Sequence, residues 1–396
     1  MKQGLRENWR QFVILVIING FVGGMVGLER TILPKIAEVD FGIAAKTAVM
    51  SFIVVFGISK AITNYYAGAA ADQVGRRNLL IYGWLFGFPV PILLMIADSW
   101  GLIIAANILL GVNQGLTWSS TVVMKIDLVG EKDRGFAMGV NESVGYLAVG
   151  CTAFFSGWIA GEFGLRPYPF YLGVGFATFG TLASIWIVKD TRHHVVSESA
   201  VSNKPLLKNT FRETSWANHN LGSITQAGLV NNLNDGMIWG LLPVLLMSRE
   251  FDLLSISKIV AIYPIVWGVG QLITGKMADI FNMKRLLFIG MLLQGLVITG
   301  MFLVHSYWLF ILLCTMLGLG TAIVYPTFLA AISTYAHPAQ RAKTIGVFRL
   351  WRDLGYAVGA LITGIISDLV SVEIAILVVG FTTVGSAFFL QLRMDK

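Results

Sequence analysis

Four carboxylic acids lie inside the long apolar stretches of this chain and away from their ends: Glu29, Glu142, Asp235 and Asp353. A charge at the centre of a bilayer costs roughly 2.5–3.5 kcal/mol on insertion scales, so an ionisable residue inside an apolar segment is a functional candidate. A carboxyl group in such a place can carry a proton or neutralise a neighbouring cation. The chemistry that these residues indicate is proton transfer and charge pairing.

The composition is typical of a membrane protein. Of the 396 residues, 56% are hydrophobic and 13% are charged, and the mean hydropathy is +0.72. Soluble domains carry about 25% charged residues. The net charge of +7 is compatible with nucleic-acid binding. However, Lys and Arg fall mainly in short loops, where they orient a membrane protein, so no nucleic-acid partner is predicted.

Twelve apolar segments are predicted to be transmembrane helices, because a bilayer core of about 30 Å needs roughly 20 apolar residues per helix. They cover residues 11–36, 44–70, 78–97, 100–124, 134–162, 167–188, 221–248, 256–280, 284–304, 306–334, 341–368 and 371–392. The first exceeds the apolar core of a signal peptide, so it is predicted to be a span. The distribution of Lys and Arg predicts that both termini are cytoplasmic, in a multi-pass protein of the cytoplasmic (inner) membrane.

A polar connector divides the chain. We predict a six-helix bundle in residues 1–190, a cytoplasmic linker in 191–220, and a second six-helix bundle in 221–396. A shift of 207 residues aligns Gly68 with Gly275, Asp72 with Asp279, Gly111 with Gly318, Arg134 with Arg341 and Gly139 with Gly346. Five identities at one offset indicate an internal repeat. The predicted fold class is therefore an all-α membrane protein with two pseudo-symmetric bundles.

The loop after span 2 carries the most specific motif. Gly68, Asp72, Gly75, Arg76 and Arg77 match the pattern Gly-x-x-x-Asp-(Arg/Lys)-x-Gly-Arg-Arg, with Gln73 at the usual basic position. Gly275 and Asp279 repeat part of this motif after span 8. Residues 133–139 form a further motif, Asp-Arg-Gly-x-Ala-x-Gly, at the start of span 5. With these motifs and twelve spans, the chain resembles the major facilitator superfamily of secondary transporters over essentially its whole length.

The resemblance implies that this loop latches the two halves together on the cytoplasmic side when the cavity opens outward. Gating is accordingly predicted for Gly68, Asp72, Gly75, Arg76, Arg77 and Asp279. The alternative for the two arginines is an anchor at the anionic inner leaflet. The chain lacks two features frequent in drug and proton antiporters, since Asn107 replaces an arginine in span 4 and span 5 has no proline.

The resemblance also implies that spans 1, 4, 7 and 10 line the central cavity. Their polar and aromatic residues form the predicted substrate and proton site: Asn19, Glu29, Arg30, Asn113, Gln114, Trp118, Asn231, Asn234, Asp235 and Tyr325. Aromatic and amide groups suit a substrate with ring-like and polar parts. The alternatives are helix packing for the uncharged residues, structural pairing for Asp235 and a headgroup position for Glu29.

Spans 2, 5 and 11 carry a second set of charges, to which we assign coupling and gating. Lys60 and Asp353 are expected at similar depths in spans 2 and 11, which the resemblance places at the interface between halves. We predict that Lys60 or Arg352 neutralises Asp353 in a pair that changes as the halves move. Glu142 and Arg349 are separated by the repeat offset and complete this set.

Other classes of function lack their signatures in the sequence. There is no nucleotide-binding loop, no catalytic constellation and no third metal ligand beside His193 and His194. We therefore predict a monomeric secondary transporter, not an enzyme, that needs no cofactor or metal. Its substrate is a small organic solute and its coupling ion the proton. Efflux is the preferred direction, and uptake of an organic anion or a nutrient is the alternative.

Overall fold

The computed structural model describes residues 4–129, 134–191 and 206–395; within these ranges the side chains of residues 68–73, 126, 134–137, 279, 333, 338–339 and 341–342 are not described. The regular secondary structure of the described ranges is entirely helical. Gly68, Asp72 and Asp279 therefore lie outside the residues whose side chains are described. His193, His194 and much of the linker lie outside the described ranges.

Six spans form the first half. They are Leu5–Arg30 (continued by the short helix Leu33–Val39), Lys46–Val74, Arg76–Gly87 with Pro89–Ile96, Trp100–Val129, Arg134–Phe163 and Tyr171–Trp186. Tyr168–Phe170 forms a short 3-10 turn before span 6. Span 4 extends beyond its predicted end, and as a result Lys125 is a buried helical residue rather than a loop residue.

The second half repeats this arrangement after the short helices Thr210–Arg212 and Glu213–Ala217. Spans 7 to 12 are His219–Ser248, Leu253–Ile280, Met283–Met301, Tyr307–Tyr335, Pro338–Leu369 and Val372–Arg393. We call the end of the bundle that carries both termini and the linker the terminal end, and the opposite end the far end.

Nine helical segments of the described chain are long and apolar enough to cross a membrane. The remaining three are spans 6, 7 and 11. Span 6 is a helix of 16 residues. Span 7 is one continuous helix whose apolar sequence contains an Asn-rich run that ends at Asp235. Span 11 carries Arg349, Arg352 and Asp353 within about one and a half turns. Span 6 thus falls short because of its length, and spans 7 and 11 because of polar and charged residues that include predicted functional residues.

The two halves pack their helices in equivalent ways. A Cβ atom added to Gly111 in span 4 would lie 2.7 Å from the carbonyl oxygen of Phe56 in span 2. A Cβ on Gly318 in span 10 would lie 2.7 Å from the carbonyl oxygen of Tyr263 in span 8. Both glycines and both carbonyls are related by the same offset of 207 residues. The repeat in the sequence is therefore also a repeat of close helix contacts.

The halves approach each other more closely at the far end. A Cβ on Gly364 of span 11 would lie 2.7 Å from the backbone of span 2, whereas one on Gly346, nearer the terminal end, would lie 3.9 Å from it. Spans 5 and 8 show the same trend. A Cβ on Gly150 would lie 2.9 Å from a backbone oxygen of span 8, whereas one on Gly139, nearer the terminal end, would lie 3.5 Å from such an oxygen. The far end is thus the closed end of this conformation.

Candidate functional site

A narrow cavity between the halves gathers most of the charged residues predicted for coupling. Its lining residues come from spans 2, 4, 5, 10 and 11: Lys60, Asn64, Trp118, Ser119, Glu142, Tyr146, Tyr325, Leu329, Arg349 and Arg352. The open space measures about 10 Å³, which is roughly the room that one water molecule needs. The cavity is therefore nearly closed in this conformation.

The repeat explains how the walls of this cavity arise. Four pairs of positions at the offset of 207 residues contribute to the cavity or to its immediate support: Lys60 with Trp267, Trp118 with Tyr325, Glu142 with Arg349, and Tyr146 with Asp353. The two halves thus place different chemistry at equivalent positions. Three of the four pairs contain an aromatic residue, and the fourth combines Glu142 with Arg349.

Asp353 is buried and has bonds to both carboxylate oxygens. Arg352 donates to Oδ1 from Nε at 2.9 Å and from Nη2 at 2.7 Å. Asn232 donates to the same oxygen at 3.4 Å, and Asn64 of span 2 donates to Oδ2 at 2.6 Å. Of the two cations predicted to neutralise Asp353, Arg352 forms the ion pair and Lys60 does not. The bond that crosses between the halves comes instead from Asn64.

Lys60 is surrounded by aromatic rings. Its Nζ atom lies 5.1 Å from the ring centroid of Tyr356, 5.5 Å from that of Phe56 and 5.9 Å from that of Trp118. These distances fit cation–π contacts. Among the described residues, this ammonium group has no hydrogen-bond or ion-pair partner.

Glu142 is held through one of its two oxygens. Its Oε1 atom accepts hydrogen bonds from Trp118 Nε1 at 2.9 Å and from Asn141 Nδ2 at 2.8 Å. Lys125 donates in turn to the side-chain oxygen of Asn141. The second oxygen, Oε2, has no partner among the described residues. One oxygen of this carboxyl group is thus buried without a hydrogen-bond partner in the described chain.

Hydroxyl groups join the remaining lining residues. Arg349 of the second half donates to Ser119 Oγ of the first half at 3.0 Å. Arg352 donates from Nη1 to the hydroxyl of Tyr325 at 2.7 Å. The hydroxyl of Tyr146 donates to that of Tyr325 at 3.2 Å, which is a second contact between the halves.

Three aromatic residues separate this cavity from the far end, and we call Phe56, Trp239 and Tyr356 the aromatic barrier. The rings of Trp239 and Tyr356 stack with centroids 5.1 Å apart, and Phe56 meets Tyr356 at 5.9 Å. Lys60 contacts the barrier from the cavity. Arg30, at the far end of span 1, lies 4.4 Å from the Trp239 centroid and 4.9 Å from that of Phe56. The barrier therefore lies between two buried cations.

Two more carboxylates lie outside the cavity lining, Glu29 and Asp235. Asn107 donates to Oε2 of Glu29 at 3.2 Å, and Tyr263 donates to Oδ1 of Asp235. The other oxygen of each group, Glu29 Oε1 and Asp235 Oδ2, has no hydrogen-bond partner in the described chain. Glu29 is fully buried within the protein.

The polar residues predicted in spans 1, 4 and 7 mostly join helices of one half. Asn19 donates to Asn141 O at 2.7 Å, Asn113 to Gly83 O at 2.8 Å, Gln114 to Val22 O at 2.8 Å, Asn231 to Asn232 Oδ1 at 3.3 Å and Asn234 to Gln294 Oε1 at 3.1 Å. Of the ten residues predicted for the cavity, Trp118 and Tyr325 line it here. In this conformation, the cavity is lined by residues of spans 2, 5 and 11 in addition to the predicted spans 4 and 10. Spans 1 and 7, which were also predicted to line the cavity, contribute no lining residue among those described.

The described part of the loop after span 2 makes its contacts within the first half. Gly75 has a φ of 98°, which favours glycine, and begins span 3. Arg76 forms an ion pair with Asp127 at 2.8 Å. Arg77 donates through its side chain to Ile185 O at 2.5 Å. The role of this loop in joining the halves stays a prediction.

Four residues of the site were not singled out from the sequence: Asn64, Lys125, Tyr146 and Trp267. Tyr146 and Trp267 are the repeat partners of Asp353 and Lys60, so the offset contained a signal for both. Asn64 follows Lys60 by four residues, which places both on one face of a helix.

A carboxylate closes the far end between the halves. Asp368 of span 11 accepts hydrogen bonds from the backbone N–H groups of Lys46 at 2.5 Å and Thr47 at 2.8 Å, at the first turn of span 2. Loss of such a cap costs about 0.5–2 kcal/mol.

We expect Asp368→Ala to weaken this closure and to raise the labelling rate of a cysteine introduced at Ile53 severalfold. Ile53 is buried near the far end of span 2. The rate would be measured with a membrane-impermeant maleimide. Glu38→Ala, at an exposed carboxylate, is the control. An unchanged rate in Asp368→Ala would show that the cap does not contribute to closure.

Comparison with known proteins agrees with the geometry. The sequence profile of the Major Facilitator Superfamily matches residues 12–221 and 224–395. The chain belongs to this superfamily. The predicted superfamily and the all-α, twelve-span fold class are thereby confirmed. As a superfamily member, the protein is a multi-pass membrane transporter that binds a small-molecule substrate.

Two relatives of this superfamily member align over most of both chains. The chain is 25% identical over 402 residues to "Multidrug resistance protein 2" of Bacillus subtilis (strain 168), covering 97% of this chain and 95% of the relative. It is 23% identical over 386 residues to "Proton-coupled antiporter flippase LtaA" of Staphylococcus saprophyticus, covering 91% of this chain and 88% of the relative.

Two solved structures share the superfamily fold at low sequence identity. The human organic anion transporter MFSD10 superposes with a TM-score of 0.73 at 15% identity, over 96% of this chain and 99% of that one. A POT family transporter in complex with a thioalcohol-conjugated peptide superposes with a TM-score of 0.77 at 15% identity, over 97% and 96%. These similarities establish the fold.

Proposed function

We propose that this transporter is proton-coupled and exports a small organic solute across the cytoplasmic membrane by alternating access. The observation that carries the proposal is a contrast among the four buried carboxylates. Asp353 has a counter-ion and bonds to both oxygens. Glu29, Glu142 and Asp235 have no ion pair within the described chain, and each keeps one oxygen without a partner.

An unpaired carboxylate away from water is costly as an anion, and binding a proton removes its charge. Glu142 is the proposed carrier at the cavity, because this residue lines the cavity and its buried Oε2 atom has no partner in the described chain. Asp235 and Glu29 are the proposed carriers toward the far end. One elementary charge that crosses the membrane is worth about 2.3 kcal/mol per 100 mV, so one proton is sufficient to drive a useful gradient.

Export is the proposed direction because the names of the two relatives describe multidrug resistance and proton-coupled antiport. The alternative is proton-coupled uptake of an organic anion or a nutrient. It is favoured by the cations Lys60, Arg349 and Arg352 at the cavity. We further propose that the protein is a monomer with both termini in the cytoplasm, so that the far end faces outward.

We expect Asp235→Asn and Glu142→Gln each to reduce transport driven by an imposed pH gradient at least tenfold. Both variants keep the shape of the side chain but cannot release a proton. Purified protein in proteoliposomes would be tested with a panel of labelled solutes, with and without the gradient. Glu38→Gln, at an exposed carboxylate, serves as the matched control. Normal pH-driven transport in both variants would refute the assignment of these groups.

A further inference from the structure

The residues around the cavity carry an excess of positive charge. The cations are Lys60, Arg349 and Arg352, and the anions are Glu142 and Asp353. Asp353 is compensated by Arg352 at 2.7 Å. Glu142 does not compensate the remaining cations, because it forms no ion pair with either of them in the described chain. Two cations therefore remain at the wall without a partner of opposite charge.

These two cations also retain unused donors. Lys60 Nζ has no hydrogen bond to a described residue and lies near three aromatic rings. Arg349 donates from Nη1 to Ser119 at 3.0 Å, whereas its Nε atom is buried without a partner. A buried charge without a partner is unfavourable, and charge-assisted hydrogen bonds to an anion would relieve it. An anionic group bound at this wall would therefore accept these unused hydrogen bonds and compensate the two positive charges.

An aromatic surface adjoins the cations. Trp118 and Tyr146 lie with ring centroids 5.3 Å apart, and Tyr146 meets Tyr325 at 5.7 Å. Trp267 supports Tyr146 from behind in a stack with centroids 3.5 Å apart. The planes of Trp118 and Tyr146 are inclined by 53° and those of Tyr146 and Tyr325 by 78°, so a flat ring can stack on one of them and meet another edge-on. The cavity thus combines a cationic side with an aromatic side.

We propose that this cavity, when it widens from the conformation described here, binds an organic anion with an aromatic ring, its anionic group between Lys60 and Arg349 and its ring against Trp118 and Tyr146. The proposal names the substrate class of the proposed transporter and rests on that function for its consequence in transport. The binding itself requires no gradient.

The two cations belong to different halves, so a ligand bound to both would connect the halves. Lys60 belongs to span 2 in the first half, and Arg349 belongs to span 11 in the second. An anion bound to both joins the halves by charge-assisted bonds. The described cavity has room for only about one water molecule, so such a ligand binds a wider form of the cavity and shifts the equilibrium toward it, because a ligand favours the state that it binds better. Outward or inward release then requires that one of these two contacts breaks.

The test uses three probes that share a ring and differ in charge: 1-naphthoate, 1-naphthamide and 1-naphthylmethylammonium. Binding to the purified full-length protein in nanodiscs would be measured at equilibrium by tryptophan fluorescence. We expect naphthoate to bind at least tenfold more tightly than the amide, and the amide to bind more tightly than the cation. Equal affinities, tighter binding of the cation, or no binding of naphthoate would overturn the proposal.

Variants locate the anionic group. We expect Lys60→Met and Arg349→Gln each to weaken naphthoate binding at least tenfold while changing amide binding less than threefold. Lys60→Arg keeps the charge and is expected to retain most of the preference. Lys35→Met, at an exposed lysine near the far end, is the control. Unchanged naphthoate binding in both Lys60→Met and Arg349→Gln would overturn the assignment. The charge series on the unaltered protein decides the substrate class even where a variant does not fold.

Because no gradient is applied, the binding test is independent of proton coupling. Charge-selective binding together with transport that ignores the pH gradient would refute the proposed coupling and leave the substrate class intact. Transport that follows the pH gradient but accepts neutral or cationic solutes equally well would overturn the substrate class alone.

Discussion

Replacement of Asp353 by alanine is expected to abolish transport and to lower the free energy of unfolding by about 3–5 kcal/mol. The carboxylate accepts two hydrogen bonds from Arg352, and its removal leaves a buried guanidinium without a counter-ion. Asn64 loses its acceptor at the same time, so the bond of 2.6 Å that crosses between the halves disappears. A single side chain thus supports both the core and the interface between the halves.

The stability of Asp353→Ala would be measured by thermal melting of the purified protein, and transport in proteoliposomes. The matched double variant Arg352→Gln with Asp353→Asn removes both charges and is expected to recover much of the stability, because no unpaired ion remains. We expect it to stay inactive, since Arg352 also donates to Tyr325 at the cavity. A single variant as stable as the unaltered protein would contradict the role of the ion pair.

The fold was predictable because it depends on signals that extend along the whole chain. The lengths of the apolar segments predict the transmembrane spans, and the repeat at an offset of 207 residues predicts the two bundles. The same offset connects Gly111 with Gly318, whose close helix contacts are equivalent in the structure. It also pairs Glu142 with Arg349, which line one cavity.

The direction in which a polar side chain points was less predictable. Asn113 and Gln114 are neighbours in span 4, and both were assigned to the cavity. Successive residues of a helix point about 100° apart, and the structure directs Asn113 to span 3 and Gln114 to span 1. Every polar residue in an apolar span needs a partner. Composition alone does not distinguish a partner in a neighbouring helix from a substrate.

The conformation accounts for the absence of spans 1 and 7 from the cavity lining. In the described structure the far end is closed, and the aromatic barrier joins Phe56 of span 2 with Tyr356 of span 11. Trp239 of span 7 is part of that barrier, and Arg30 of span 1 packs against it. The residues of these spans are thereby directed into the closed interface. A family resemblance describes all states of the cycle, whereas one structure shows one of them.

Spans 2 and 11 approach each other so closely beside the aromatic barrier that one added methyl group is expected to push them apart. We expect Gly57→Ala to increase the fraction of molecules open at the far end about tenfold. The added Cβ would lie 2.8 Å from the backbone nitrogen of Ala357 and 2.9 Å from Cβ of Tyr356. Backbone atoms cannot move aside as a flexible side chain does, and overpacking of this kind costs about 1–3 kcal/mol. The strain applies only while the two halves are in contact, so it favours the open state.

Labelling of a cysteine at Ile53 by a membrane-impermeant maleimide would measure this opening, in a background with Cys151→Ser and Cys314→Ser. The matched control is Gly346→Ala, which adds the same methyl group between the same two spans near the terminal end. There the new Cβ would meet Tyr65 O at an ordinary 3.9 Å, so labelling should not change. An equal increase in both variants would mean that any added methyl group loosens spans 2 and 11. Faster labelling in Gly57→Ala alone would place the controlling contact at the far end, because the two substitutions differ only in their position along one interface.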